Sequence, residues 1–198
     1  MNLDKAVRNL RKRGFEVMVF PGRESAAAYL LENISDITVG IGGSVTVEQL
    51  GICEKLSENN TVSWHWRSDE PDIRQRAAAS RVYLTSCNGI AETGEIVNID
   101  GTANRLAGSM YDKEVVYIIT GTNKFCETYE EALYRAQNVA APKNAQRLGA
   151  KTPCAEKGDK CYNCDSPGRI CRALCVFWGV PMGVKRMVVC IIEEKLGL

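Results

Sequence analysis

Hydrophobic and polar positions along this chain switch repeatedly between a helical period and short apolar runs. Leu3, Ala6, Val7 and Leu10 recur at helical spacing, so residues 2–13 are expected to form a helix that Gly14 ends. FEVMVF (15–20) follows as a strand and Pro21-Gly22 as a turn, and Ala27, Leu30 and Leu31 then mark a helix over 25–33. DITVGIGG (36–43) reads as a strand running into a glycine-rich turn, with Ser44 capping a helix over 45–56. TVSWHW (61–66) is a short strand, and Pro71 opens a helix that reaches Ala79.

RVYLTSCNG (81–89) is a strand with a polar end, EIVNIDG (95–101) a shorter strand and turn, and residues 104–110 a helix. EVVYIITG (114–121) is a continuous apolar run of the kind buried on both faces. A helix over 127–139 is expected to stop at Pro142, irregular structure follows, and residues 186–197 add a last buried strand. Strands alternating with helices predict an α/β fold, a mostly parallel sheet with helices on both faces. Near residue 150, Gly, Pro, Cys and charge replace periodic hydrophobicity. The chain therefore reads as one domain over 1–198, with 151–183 a cysteine-rich irregular insertion before the last strand.

Composition narrows the function. A net charge of +1 without a basic run argues against nucleic acid. No run approaches the roughly 20 apolar residues of a membrane span, and the charged N-terminal stretch lacks a secretory h-region. The expected compartment is the cytoplasm. There, nine cysteines point to metal or redox chemistry rather than a disulfide framework.

Two segments carry the candidate chemistry. VGIGGSVTVEQLG puts glycines between a strand and a helix, where backbone N–H groups can approach an anion, and Ser44 and Thr46 add hydroxyls. With the polar strand ends TSCNGIAETGE and TGTNK it outlines a cleft for a small anionic molecule. Glu92, Glu95 and Asp100 are its candidate bases or nucleophiles. His65, the single histidine, reads as a half-buried ring between Trp64 and Trp66. The second segment, TPCAEKGDKCYNCDSPGRIC, brings together Cys154, Cys161, Cys164 and Cys171. Four thiolates suit an iron–sulfur cluster, [4Fe–4S] among the types, or tetrahedral zinc, and the spacing leaves both open. Cys175 is placed to share a short helix face with Cys171.

VGIGGSVTVEQLG, LTSCNGIAETGEIVNIDGTANR, VYIITGTNK, NVAAPKNAQRL and the cysteine segment together resemble the LUD-domain family of lactate-utilisation proteins over almost the whole chain. The resemblance implies a fold like the sugar-phosphate isomerase and CoA-transferase superfamily and a role near oxidation of lactate or a similar organic acid. It also implies redox-protein partners and an accessory or electron-transfer part. An enzyme acting on a CoA ester or sugar phosphate, and a zinc-stapled regulatory protein, are the alternatives. Carried onto this sequence, the matching loop positions are Gly42, Gly43, Ser44, Thr46, Asn88, Glu92, Gly94, Asn98, Asp100, Gly101, Asn104, Arg105, Gly121, Asn123 and Lys124. The metal cysteines match Cys154, Cys161, Cys164 and Cys171. The family turn DGTGNR here carries Ala103 in place of its second glycine, and the ferredoxin-type domain of larger members is missing. Long apolar runs at both ends of the sheet need cover, which a homodimer would supply.

Overall fold

A computed structural model describes residues 2–198. In chain order its elements are α1 (Leu3–Lys12), β1 (Glu16–Phe20), α2 (Arg23–Asn33), β2 (Thr38–Ile41), α3 (Val45–Glu48), α4 (Cys53–Asn59), β3 (Thr61–Trp64) and α5 (Ile73–Ala79). Then come β4 (Val82–Thr85), β5 (Gly89–Ala91), β6 (Ile96–Asp100), α6 (Asn104–Met110), β7 (Lys113–Gly121), β8 (Phe125–Cys126) and α7 (Tyr129–Arg135). A π turn (Ala136–Ala140), α8 (Ala141–Arg147), α9 (Pro153–Lys157), β9 (Ala173–Phe177) and β10 (Val184–Ile192) complete the series.

Six strands form one parallel sheet in the order β1-β10-β7-β4-β2-β3. Its interior strands are apolar over most of their length because both faces are covered, and the side chains alternate between two cores. Tyr117, Ile119, Val188, Cys190 and Ile192 join α2, α3 and α4 on one side through Ala26, Leu30, Val47 and Leu56. Val116, Ile118, Val189 and Ile191 point the other way, toward Ala6 and Leu10 of α1 and Ala77 of α5. The α/β architecture read from the periodicity is therefore the observed one.

The second core holds a component that the hydrophobic pattern does not display. β8, β5, β6 and β9 form a small separate sheet in that order, with β6 antiparallel to both β5 and β9. Ile90, Ile96, Phe125 and Phe177 fill the second core from this sheet, while Ala91 and Val97 on its other face pack against Ala132 and Ala136 of the long helix. Strands of two to five residues carry too few alternations for a period to stand out. The region 151–183, expected to be irregular, contains α9 and β9. Thr152 caps the helix, and β9 binds the segment to β6 along Ile96–Asp100.

Pro142 does not end its helix. The backbone stays helical from Tyr129 to Arg147 because the π turn immediately before it widens the helix, which accommodates a residue that cannot donate an N–H bond. The helix expected over 45–56 is interrupted at Gly51, whose φ of +63° breaks the run between α3 and α4.

The turn into α6 keeps a left-handed backbone even without the glycine. Ala103 has φ +63° and ψ +6°, and its N–H donates to Asp100 Oδ1 at 3.2 Å. An L side chain there costs roughly 1–2 kcal/mol, partly offset by the smaller unfolded-state entropy of alanine. Ala103→Gly is expected to stabilise the protein by about 0.5–1 kcal/mol. Urea unfolding of both proteins checks this, through a higher midpoint at unchanged slope.

Candidate functional site

Because the six strands run the same way, their C-terminal ends open onto one side of the sheet, and the principal cavity lies there, about 530 Å³ in volume. Gly43, Ser44 and Thr46 after β2, Ser86–Asn88 after β4, and Lys124 after β7 form its floor. His65 and Trp66 after β3 and Arg74 make one wall, and the stretch from Ile99 to Arg105 makes another. Ala140, Ala141, Asn144 and Arg147 of the long helix, together with Arg169, Ile170 and Arg172 of the cysteine segment, close the remaining side.

Gly42 lies beneath this floor. A Cβ there would meet Arg105 Cγ at 2.8 Å and Tyr83 Oη at 3.0 Å, so the glycine lets the Arg105 side chain lie across the loop. Arg105 is held in that position by Asp100, with Nε to Oδ2 at 3.1 Å, and by the Ile99 carbonyl at 2.6 Å. Ser44 Oγ accepts the Val47 N–H at 3.2 Å and so caps α3. Thr46 Oγ1 and Ser86 Oγ accept hydrogen bonds from Lys124 Nζ at 2.7 and 2.9 Å. Lys124 is 3% exposed, and burial brings its pKa down to about 8.

The cavity is electropositive. Arg74, Arg105, Lys124, Arg147, Arg169 and Arg172 line it, and among the described lining residues Asp100 alone offers a carboxylate side chain, which Arg105 already takes. Arg147 stacks over Trp66 at 4.9 Å. His65 is driven toward its neutral form by burial and by the nearby Arg74, and its buried Nδ1 has no hydrogen-bond partner among the described residues. Such a site favours an anionic ligand.

A second hollow adjoins the first. Cys154, Cys161, Cys164 and Cys171 all line it, and none forms a disulfide. Hydrogen bonds already reach three of these sulfurs. Arg169 Nε donates to Cys171 Sγ at 3.1 Å and the Asn163 N–H to Cys161 Sγ at 3.3 Å, while Thr152 Oγ1 lies 3.3 Å from Cys154 Sγ. Asn138 of the π turn fixes the loop by accepting the Cys161 N–H at 3.2 Å. Ala141, Arg169 and Ile170 border both hollows. Among the described residues no group of three or more His, Cys, Asp or Glu side chains is arranged to hold a metal ion.

A family model described as the LUD domain matches residues 3–192. The chain belongs to the LUD domain family. This places it among the lactate-utilisation-related proteins. Among solved structures, a DUF162 family protein from Deinococcus radiodurans has a similar fold, with a TM-score of 0.56 at 14% identity, covering 96% of this chain and 95% of that one. No curated protein matches this chain. No helix among the described residues is long and apolar enough to cross a membrane.

Within this LUD domain, the residues expected at the site divide into three groups. Gly43, Ser44, Thr46, Asn88, Asp100, Asn104, Arg105 and Lys124 line the cavity. Asn98 and Asn123 lie outside it. Asn98 is buried on β6 opposite Cys175, and Asn123 Oδ1 accepts the Leu196 N–H at 3.0 Å. Glu92 and Glu95 face α1 instead of the cavity. Glu92 bonds the Asn2 N–H and lies 3.1 Å from Lys5 Nζ, and Glu95 pairs with Arg13. Cys175 does not share a helix face with Cys171, since it sits on β9 with its side chain against the second core. Its partial burial raises its thiol pKa.

His65, Trp66, Arg74 and Arg147 are lining residues to which the sequence assigns no role at the site. The first two also follow a parallel strand, so the rule of C-terminal strand ends points to them. Arg74 comes from a helix outside the motifs and carries no such signal, whereas Arg147 lies within NVAAPKNAQRL, a segment on which the family resemblance rests. Arg147→Ala is expected to weaken binding of a small dianion such as oxalate at least tenfold, with most of the loss visible at low salt. Glu95→Gln is expected to leave that affinity unchanged. Isothermal titration at two ionic strengths checks both.

Proposed function

We propose that this LUD domain is an iron–sulfur component of organic-acid utilisation. Cys154, Cys161, Cys164 and Cys171 hold a [4Fe–4S] cluster, and the adjoining cationic cavity takes a small hydroxy- or oxo-acid anion. One observation carries this reading: Arg169, Ile170 and Ala141 form a wall common to the four-thiol hollow and the anion cavity. A cofactor in one hollow would therefore lie beside a ligand in the other.

The donor set suits the group. Four free thiols line one space, and N–H groups already point at Cys161 and Cys171, the kind of bond that tunes cluster sulfurs. Four thiolates can serve an iron–sulfur cluster or a tetrahedral zinc ion, and the iron and sulfide assay separates the two. When bound, the cluster supplies one-electron exchange. The chain does the rest. Arg74, Arg147 and Arg172 attract and orient the anion, Arg105 stays fixed on Asp100, and His65 stays neutral beside Gly43. Arg169 links the two spaces, since its Nη1 also donates to the Cys164 carbonyl at 2.9 Å. A redox-protein partner would complete the electron path, with the protein residing in the cytoplasm, where reduced thiols persist.

Anaerobic purification followed by iron and sulfide assay tests the reading. The expected result is iron and sulfide in equal amounts, about four of each per chain for the cubane type, with visible absorbance bleached by dithionite. Cys161→Ser and Cys164→Ser are each expected to lose most of the bound iron while keeping the far-ultraviolet circular dichroism of the wild type. Stoichiometric zinc without iron, or full iron in both variants, would refute the cluster assignment.

A further inference from the structure

The electron-transfer reading leaves a group of nucleophiles on the cavity floor without a role. Ser86, Cys87 and Lys124 meet there at the ends of β4 and β7, beside Thr46 of α3. Lys124 stands out. Its described hydrogen-bond partners are two hydroxyls and no carboxylate, and Ser86 Oγ lies 3.3 Å from Thr46 Oγ1, which closes a ring of three polar atoms. The chain segment at Gly197 passes close enough that a Cβ there would come within 3.0 Å of Nζ, so the amine is enclosed on that side.

We infer that Lys124 is a carbonyl-reactive amine that forms a reversible imine with the C2 carbon of a short 2-oxo acid bound in the cavity. An amine nucleophile requires a carbonyl carbon, and the surplus of arginines requires an anionic group on the same molecule. The 2-oxo acid class satisfies both. The inference rests on the organic-anion reading of the cavity and adds a covalent step to it.

A lysine serving only as an anion anchor would be placed differently. Arginine keeps its charge and already supplies the cationic lining, whereas lysine can shed a proton when buried. The groups facing Nζ are Thr46 from α3, Ser86 and Cys87 from the loop after β4, Arg105 from α6 and Arg135 from α7. Burial, Arg135 and Arg105 favour the neutral amine, and Cys87 acts in the opposite direction. The resulting pKa of about 8 leaves roughly a tenth of the lysine as free amine at pH 7.

The step balances without an oxidant. The Nζ lone pair adds to C2, forming the C–N bond, and the carbonyl oxygen takes up a proton. That oxygen then leaves as water, carrying two hydrogens that come from the amine, and the C=N bond remains. Ser86 and Thr46, both within hydrogen-bond distance of Nζ, are the groups placed to pass those protons. Water reverses the sequence and returns the free oxo acid.

Trapping tests this on the purified full chain. Pyruvate with cyanoborohydride is expected to leave a reduced adduct on Lys124 in the peptide map, with exposed lysines such as Lys55 and Lys185 essentially unlabelled. The rate of adduct formation is expected to rise roughly tenfold from pH 7 to pH 9, following the free amine around the pKa of about 8. Ser86→Ala is expected to slow it several-fold without moving the labelled position. Melting temperatures with pyruvate and with lactate are read in parallel on the same protein. Stabilisation by both acids with no adduct on Lys124 would overturn the imine and leave the anion site standing. No stabilisation and no adduct would overturn both. Label spread over surface lysines in proportion to their exposure would also overturn the imine. The wild-type peptide map decides the question even if a Lys124→Arg chain does not fold.

Discussion

Parallel pairing of β1, β10, β7, β4, β2 and β3 is the constraint on which the rest depends. Each parallel connection must cross the sheet, so both faces are covered and apolar, and polar groups are confined to the strand ends. Thr46, Ser86 and Lys124 come from three separate segments of the chain, yet they end within hydrogen-bond distance of one another because their strands stop at one level. A slip of one residue in β7 would turn the run from Val115 to Ile119 inside out and misplace the segment that leads to Lys124.

Arg135 holds the small sheet to the large one. Its guanidinium bonds the Asn88 carbonyl, the Asn123 carbonyl at 3.0 Å and a backbone oxygen of Leu198 at 3.1 Å. These oxygens belong to the loops after β4 and β7 and to the segment after β10. One half-buried cation thus satisfies backbone acceptors from three loops that meet beside the cavity, where each left unpaired would carry a desolvation cost of about 1–3 kcal/mol. Asn88 completes the seam by accepting the Ile99 N–H at 2.7 Å.

The cysteine segment is placed by backbone pairing more than by its own sequence. β9 anchors it to β6, and Asn138 and Arg169 fix its loops from outside and within. Asn138 lies in the π turn, and the helix beyond that turn supplies Ala141 to the wall between the two hollows. The helix that continues through Pro142 therefore borders both the thiols and the cavity. Pro142 has the opposite meaning in sequence, where it reads as a stop, because the bond lost at a proline is normally not absorbed by a wider turn.

Local pattern is sufficient where a property is local. The long apolar runs of β7 and β10, the amphipathic stripe of α1, the glycine-rich turn and the four clustered cysteines are visible in sequence because each depends on neighbours a few residues away. So is the Ala103 substitution, although only the fold reveals that the turn holds its positive φ regardless. What the tertiary structure decides is which distant groups meet. Glu92 and Glu95 look like cavity residues by proximity to Asn88 and Asp100, yet the short hairpin of β5 and β6 carries them to α1, to Lys5 and Arg13. Arg74 and Arg147 lie far along the chain from the glycine-rich turn and still line the cavity, because strand order and helix packing, not sequence distance, set side-chain proximity. The chain's periodicity determines that there is a parallel sheet with one polar end. Its long-range pairing determines that this end is cationic, has a buried lysine at its floor and shares a wall with four thiols.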